Sequence, residues 1–407
     1  MNKNKYKLLW LTNLISNTKE SYFVFVNELK TIFRDRGVVI ILVIAPIIYP
    51  LLYCAIYRNE TLVDVPIAVV DASHSKISNE LLRHLDASPD VKITNTFNNL
   101  EDAKQAFNER KVKGVVYIPA DFSKKLNTQQ QATVAVYCDM SSFLYYRSMM
   151  LASNYCVLDM NKKIQLERLN AQGITGENST IQANPIPFED NILFNGGMGF
   201  ASFLMPAVLI LILHQTLFFG ISMVAGTSRE ENRSHNLISS KFNRGVFRVL
   251  FGKAMSYFLI YLVWIFFILD VIPRIFNLPH IGNLMDIYQL MIPFLLATIF
   301  FSMTISVFFP NRETGMIVFL FFSLIILFLS GISWPMSNIN GFWRAFGWLI
   351  PATHGIQGYI KINSMGADIH AVKYEYISLW IQTAIYFLTA SLAYTWQMKR
   401  EKIIRET

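Results

Sequence analysis

The chain has 407 residues, 53% of them hydrophobic, 14% aromatic and only 16% charged, with a mean hydropathy of +0.35. A soluble domain carries about 25% charged residues, so this composition excludes a fully soluble enzyme, and the apolar content excludes a disordered chain. The formal net charge of +8 is unevenly placed: residues 58–197 hold 14 Lys+Arg against 16 Asp+Glu, and the remainder holds 22 against 12. Because the basic residues flank apolar runs, they read as membrane orientation signals and not as a nucleic-acid surface.

Near the start, Leu8–Ile15 is apolar but too short for a signal peptide, and no small-residue cleavage site follows it. Tyr22, Val26, Leu29 and Phe33 then recur at spacings of 4, 3 and 4, among Glu20, Asn27, Lys30, Arg34 and Asp35. That pattern predicts an amphipathic helix lying along the inner membrane interface, so residues 1–37 form a cytoplasmic N-terminus and interfacial helix. Residues 38–57 carry no charge before Arg58 and make the first span. Pro46 and Pro50 should kink it, with neighbouring helices satisfying the freed carbonyls.

Residues 58–197 alternate strand and helix patterns. Strands are expected at Val65–Val70, Val91–Thr96, Gly114–Ile118 and Thr133–Cys138. Helices are expected at Ile77–Leu85 and Leu100–Arg110, with a long one running to about Ala171. A Gly/Asn/Ser/Thr/Pro-rich loop, Gly173–Pro187, leads back to the membrane. The segment reads as a small extracytoplasmic α/β domain. Of the three cysteines, Cys138 ends a strand and Cys156 lies well inside the long helix. Fifteen helical residues span about 22 Å, which separates them too far for a disulfide.

Five further spans follow in 198–398: Met198–Val224, Ala254–Ile272, Tyr288–Phe309, Met316–Ser333 and Tyr376–Met398. The stretch Asn340–Ile362 contains Arg344, Pro351 and His354 and is crowded by Trp334, Trp343 and Trp348. It reads as two short interfacial or re-entrant helices, at about 338–362, broken at Pro351. Residues 399–407 form a basic tail. With the N-terminus inside, the cytoplasmic segments carry 18 Lys/Arg, and the short outer segments carry four: Arg274, Arg344, Lys361 and Lys373. The expected protein is therefore an α-helical, multi-pass protein of the inner (plasma) membrane with both termini cytoplasmic. It has six transmembrane helices, an interfacial N-terminal helix and an inserted extracytoplasmic α/β domain.

Several segments, in order, carry a family likeness. Asn27–Gly37 (NELKTIFRDRG) runs into an apolar span containing Ala45-Pro46. Pro66–Ser73 (PIAVVDAS) and Gly114–Phe122 (GVVYIPADF) lie in the outer domain. Gly252-Lys253 opens the third span, and Ser330–Pro335 (SGISWP) precedes Ile350-Pro351. Together they resemble the permease of an ABC-2 type exporter, the bacterial subfamily with a large extracytoplasmic domain between the first two spans. The loop after the second span reads Arg229-Glu230-Glu231-Asn232-Arg233-Ser234, without the Gly-Thr and Pro that often follow in the family. The resemblance implies a separate cytoplasmic ABC ATPase that binds ATP and Mg²⁺, and a second permease, identical or similar, in the complex.

The chain offers no nucleotide site of its own. Gly252-Lys253 is followed by Ala254, and Phe247 stands where a phosphate-binding loop needs its first glycine. It therefore reads as no enzyme and as binding no cofactor. No HExxH or paired Cys/His spacing points to a metal, and Asp71, Ser73 and His74 along one turn are not a triad. Charged cytoplasmic groups suited to docking an ATPase are Arg229, Glu230, Glu231 and Arg233, with Arg34, Asp35 and Arg36. Arg312 and Glu313 read as a local charge pair or anchor. For a substrate path between protomers the candidates are His214, Met205, Phe218 and Phe219 on span two, and Phe321, Phe322 and Phe328 on span five. His214 qualifies because an ionisable group inside a span is costly; the alternative is a neutral His hydrogen-bonded to a neighbouring helix.

The expected activity is export of a hydrophobic or amphiphilic compound, with an outer domain suited to docking a periplasmic adaptor and, beyond it, an outer-membrane channel. Two rivals stand beside it: a mechanical transmitter that moves its outer domain and transports nothing, and a receptor whose outer domain binds ligand.

Overall fold

A computed structural model describes residues 3–231 and 245–406, with side chains described for 18–231 and 245–400 apart from position 319. It divides into two compact units, Met1–Glu60 with Ile192–Thr407, and Thr61–Asn191.

The first unit opens with α1 (Lys3–Arg34) and α2 (Arg36–Ile56). Asp35 separates them, its carboxylate accepting from the Gly37 and Val38 backbone N–H groups at 2.9 and 3.4 Å, so the corner is capped by its own side chain. The irregularity in α2 is a π-turn at Ile40–Ile44, immediately ahead of Pro46. Pro46 has no N–H to give to the turn before it. The Leu42 carbonyl instead accepts the Trp264 indole N–H at 2.8 Å, from another helix.

The inserted unit follows as β1 (Val65–Asp71), α3 (Lys76–Asp86), β2 (Val91–Phe97), α4 (Leu100–Asn108), β3 (Gly114–Ile118), α5 (Phe122–Asn127), β4 (Ala135–Cys138), α6 (Phe143–Ala171) and α7 (Glu177–Ala183). The sheet order is β2-β1-β3-β4, with β1 parallel to β2 and β3, and β4 antiparallel on β3. Central β1 is apolar nearly throughout because both of its faces are covered. Val65, Ile67 and Val69 pack with Leu85, Met149 and Ala152, and Ala68 and Val70 pack with Ala103 and Ala106. Asp71 is spent on the turn after β1: it accepts from the Ser73 and His74 backbone and from the Ser78 hydroxyl. All three cysteines are free, and burial pushes the Cys138 and Cys156 thiols up. The loop expected at Gly173–Pro187 contains a helix, α7. Gly176 at φ +71 turns the chain, and its carbonyl accepts the Ser179 and Thr180 hydroxyls, closing the first turn.

The chain then continues as α8 (Phe200–Glu230), α9 (Val246–Ile275), α10 (Leu284–Ser306), α11 (Arg312–Leu329), α12 (Gly341–Trp348), α13 (Pro351–Met365) and α14 (Lys373–Glu406). Among the described residues six helices are long and apolar enough to cross a bilayer: α2, α8, α9, α10, α11 and the Lys373–Arg400 part of α14. Among them α8 is the hub. It is buried along almost its whole length, from Ala201 to Ser228, and packs against α2, α10, α11 and α13.

Two small helices, α12 and α13, meet at Pro351. The carbonyls released at the end of α12 are all taken up. Gly347 receives the Thr353 hydroxyl at 2.7 Å, Trp348 receives Gln382 Nε2 at 2.6 Å, and Leu349 receives the Tyr386 hydroxyl. Such pairing is what lets a broken helix sit inside an apolar bundle.

The second span runs further than expected, past Val224 to Glu230. Gly226-Thr227-Ser228 are weak helix formers, but packing overrides them. A Cβ at Gly226 would lie 2.6 Å from the Arg312 backbone nitrogen, so the glycine lets the turn between α10 and α11 close on α8. Replacing Gly226 with Val should therefore lower the stability of the detergent-solubilised chain by about 1–3 kcal/mol. Gly341→Ala, which meets nothing within 4 Å, should stay within about 0.5 kcal/mol of wild type. Thermal unfolding of the two variants checks this.

Candidate functional site

Of the charged residues singled out in the sequence, Arg229, Glu230 and Glu231 lie at the end of α8, Arg312 and Glu313 at the start of α11, and Arg34, Asp35 and Arg36 at the corner between α1 and α2. Arg229 and Glu230 form the last turn of α8 and not a loop, and Glu231 is its C-terminal cap. The Arg229 guanidinium donates to the Phe309 carbonyl. Glu230 accepts the Arg312 backbone N–H at 2.9 Å and pairs with Arg312 Nε at 3.1 Å. Arg312 is thus tied to Glu230 and not to its neighbour Glu313, because the close approach at Gly226 brings the start of α11 onto the end of α8. Arg233 lies outside the described residues. Arg34 and Arg36 are exposed and make no ion pair among the described residues, whereas Asp35 is committed to capping α2.

A further charged cluster joins α1 to α9, and neither of its principal members was a candidate from sequence. Glu28 and Lys253 are 2% and 6% exposed. Lys253 Nζ lies 3.2 Å from one Glu28 oxygen, and the Tyr257 hydroxyl donates to the other at 2.7 Å. Lys253 also sits 5.9 Å from the centroid of the Tyr394 ring on α14. Around this lock, Arg248 pairs with Glu20, and the Ser256 hydroxyl donates to the Phe25 carbonyl at 3.1 Å. Gly252 permits the contact, since a Cβ there would lie 2.6 Å from the Ser21 carbonyl oxygen.

This geometry revises the reading of α1. The face packed on α9 is Val24, Glu28 and Ile32, not the Tyr22–Val26–Leu29–Phe33 stripe. At 100° per residue the two faces lie roughly a third of a turn apart. Tyr22 and Phe33 remain on the outer surface, 66% and 59% exposed. A usable signal was present: Glu28 stands four residues from both Val24 and Ile32, a carboxylate in the middle of an apolar row. Its partner on a distant helix could not be read from that row.

Between α1 and α9 runs an open apolar groove of about 520 Å³, walled by Tyr22, Phe25, Phe251, Met255 and Leu259, with Thr18 and Ser21 at its rim.

The path candidates fall into two environments. Met205, His214, Phe218 and Phe219 are enclosed by other helices of the same protomer, because every face of α8 is covered. His214 sits beside the rings of Phe294 and Phe301, at 6.4 and 6.2 Å, and among the described residues neither of its ring nitrogens meets a hydrogen-bonding group. The hydrogen bond to a neighbouring helix expected of a neutral His is therefore not formed. Phe218 stacks in the same row, against Phe301. On α11, Phe321 and Phe328 project from the exposed face, while Phe322 packs against Phe346. Asp270, near the far end of α9, is buried and accepts both the Nε and one Nη of Arg274, at 3.0 and 2.7 Å.

With six spans, an inserted α/β unit and charged helix ends on the page, comparison with known proteins is decisive. The family description "ABC-2 family transporter protein" matches residues 36–392, from the start of α2 into α14. The chain belongs to the ABC-2 transporter family. It is 22% identical over 379 residues, 93% of this chain and 97% of the relative, to the "Probable multidrug ABC transporter permease YbhR" of Escherichia coli K12. The same figures hold for the protein of that name from Escherichia coli O157:H7. This ABC-2 chain is accordingly a multi-pass membrane protein of the permease type, and the buried lock between α1 and α9 lies within it.

Removing one partner of a buried ion pair leaves an uncompensated charge, which costs about 3–5 kcal/mol, whereas replacing both with apolar groups is often neutral. Lys253→Met should therefore destabilise the chain by about that amount. Glu28→Met/Lys253→Met should recover most of the loss in thermal unfolding. A double variant no better than the single one would show that the two residues are not coupled.

Proposed function

We propose that this chain is the membrane-spanning permease of an ATP-driven exporter that moves a hydrophobic or amphiphilic small molecule out of the cytoplasm or the inner leaflet. The observation that carries the reading is the family match over 36–392, which takes in five spans and most of the sixth. The name of the relatives, a probable multidrug permease, supports an apolar cargo. So does the groove between α1 and α9, whose walls are almost wholly apolar.

In this reading the chain sits in the inner (plasma) membrane with both termini cytoplasmic, as its Lys/Arg distribution favours. ATP and Mg²⁺ are bound by a separate cytoplasmic ABC ATPase. A second permease, identical or similar, completes the pore, because α8 is closed in by its own protomer and leaves the path to an interface between protomers. The 61–191 unit is available to an adaptor leading to an outer channel.

The coupling follows from the charged ends. Arg34 and Arg36 are exposed and are the groups best placed to receive acidic surface of the ATPase. Force on α1 reaches α9 through Glu28–Lys253, and force on the end of α8 reaches α11 through Glu230–Arg312. The links are short and local, so movement of one helix end carries its neighbour. Rocking of the two permeases would then close an inner cleft and release cargo outward.

Co-purification with the cognate ATPase, followed by ATP turnover and dye transport in proteoliposomes, tests the proposal. Arg34→Glu/Arg36→Glu should lower turnover stimulation severalfold while leaving thermal stability unchanged. Turnover that responds to this chain without dye movement would transfer the assignment to the mechanical transmitter. A chain that binds no ATPase would sink both readings in favour of a receptor.

A further inference from the structure

Where α8 and α10 end beside α14 lies a cavity of about 420 Å³, within the range of small-molecule sites. Arg229 of α8, Phe308 and Pro310 of the turn after α10, and Trp396, Gln397 and Arg400 of α14 line it. Two helices end here, and beside them the apolar sequence of α14 gives way to Lys399-Arg400-Glu401-Lys402, so the cavity sits where the apolar bundle turns charged. The Phe308 and Trp396 rings, 6.3 Å apart, make an exposed apolar wall. The Arg400 guanidinium lies 5.6 Å from the Trp396 ring centroid. Among the described residues Arg400 has no carboxylate partner.

Two guanidinium groups on either side of an aromatic wall, at the rim of a membrane bundle, suit one ligand chemistry. Guanidinium forks match phosphate oxygens in a way a lone ammonium does not. Basic pockets between membrane helices hold anionic headgroups, and Trp at this level favours the boundary between headgroup and acyl chain. We propose that this cavity binds the phosphate of an anionic glycerophospholipid, with the root of its acyl chains against Phe308 and Trp396. A lipid is favoured over a soluble anion because the wall beside the arginines is apolar and exposed. The bound headgroup would bridge α8 and α14, adding to the tie that Arg229 makes from the end of α8 to the Phe309 carbonyl after α10. The inference needs only the membrane placement of the chain, so it stands or falls separately from the transport reading.

The test uses the full chain in detergent, titrated with phosphatidylglycerol, phosphatidylcholine or inorganic phosphate, and read by native mass spectrometry and thermal unfolding. Phosphatidylglycerol should be retained and raise the unfolding midpoint, whereas phosphatidylcholine should do neither. Arg400→Gln should weaken retention about fivefold, the scale of one Arg at an anionic surface, and Trp396→Leu should weaken it further. Arg344→Gln, an exposed arginine on α12, serves as the charge-matched control and should leave retention unchanged. Equal retention of both lipids, or an equal loss in Arg344→Gln and Arg400→Gln, would overturn the site. A midpoint shift reproduced by inorganic phosphate would assign the pocket to a soluble anion. That result would end the lipid assignment.

Discussion

Inside a bilayer no water is available to satisfy a freed carbonyl or a lone charge, so each such group must find its partner within the protein. The bundle is organised around that requirement. Pro46 disturbs α2, and the displaced Leu42 carbonyl is met by Trp264 of α9. The corner between α12 and α13 exposes three successive carbonyls, and Thr353, Gln382 and Tyr386 reach back to each of them. Glu28 would be prohibitively costly in the core of the bundle without Lys253 and Tyr257. Each of these bonds joins two different helices, so the pairing that makes the irregularities tolerable also fixes how the helices pack.

The same bonds tie particular helices to one another. α1 belongs to α9 through a buried ion pair, a close glycine contact and a serine hydroxyl on a backbone carbonyl. The end of α8 belongs to the start of α11 through Glu230 and Arg312. A short and desolvated ion pair is a stiffer link than exposed charges, because water and salt screen it less. Arg34 and Arg36, by contrast, are exposed.

How much of this was legible from the residues alone differs from element to element. The spans were readable because twenty or so apolar residues without charge have one economical fate. The strands of the inserted unit were readable because Val65–Val70 and Gly114–Ile118 are apolar and β-branched between turn residues. Helix ends were read less well. α8 outran its expected limit at Val224 because the apolar run ends there while packing carries the helix on: Gly226 allows a close approach to the turn before α11. α7 was missed because its capping depends on Gly176 adopting positive φ. The stripe on α1 was visible, but a stripe does not say whether protein or lipid covers it.

Sequence by itself determined that this is a membrane protein with six spans and an inserted α/β unit, and its segments carried the ABC-2 resemblance. These are properties of local composition and order along the chain, which hydropathy and periodicity report directly. Only the tertiary structure decided that Glu28 meets Lys253, that Arg312 answers Glu230 and not Glu313, and that His214 is walled in by Phe294 and Phe301. Glu28 and Lys253 stand more than 200 positions apart, and Glu230 and Arg312 about 80. Which charge is buried, and against what, is set by how helices pack in space, and a chain read one segment at a time contains no term for that distance.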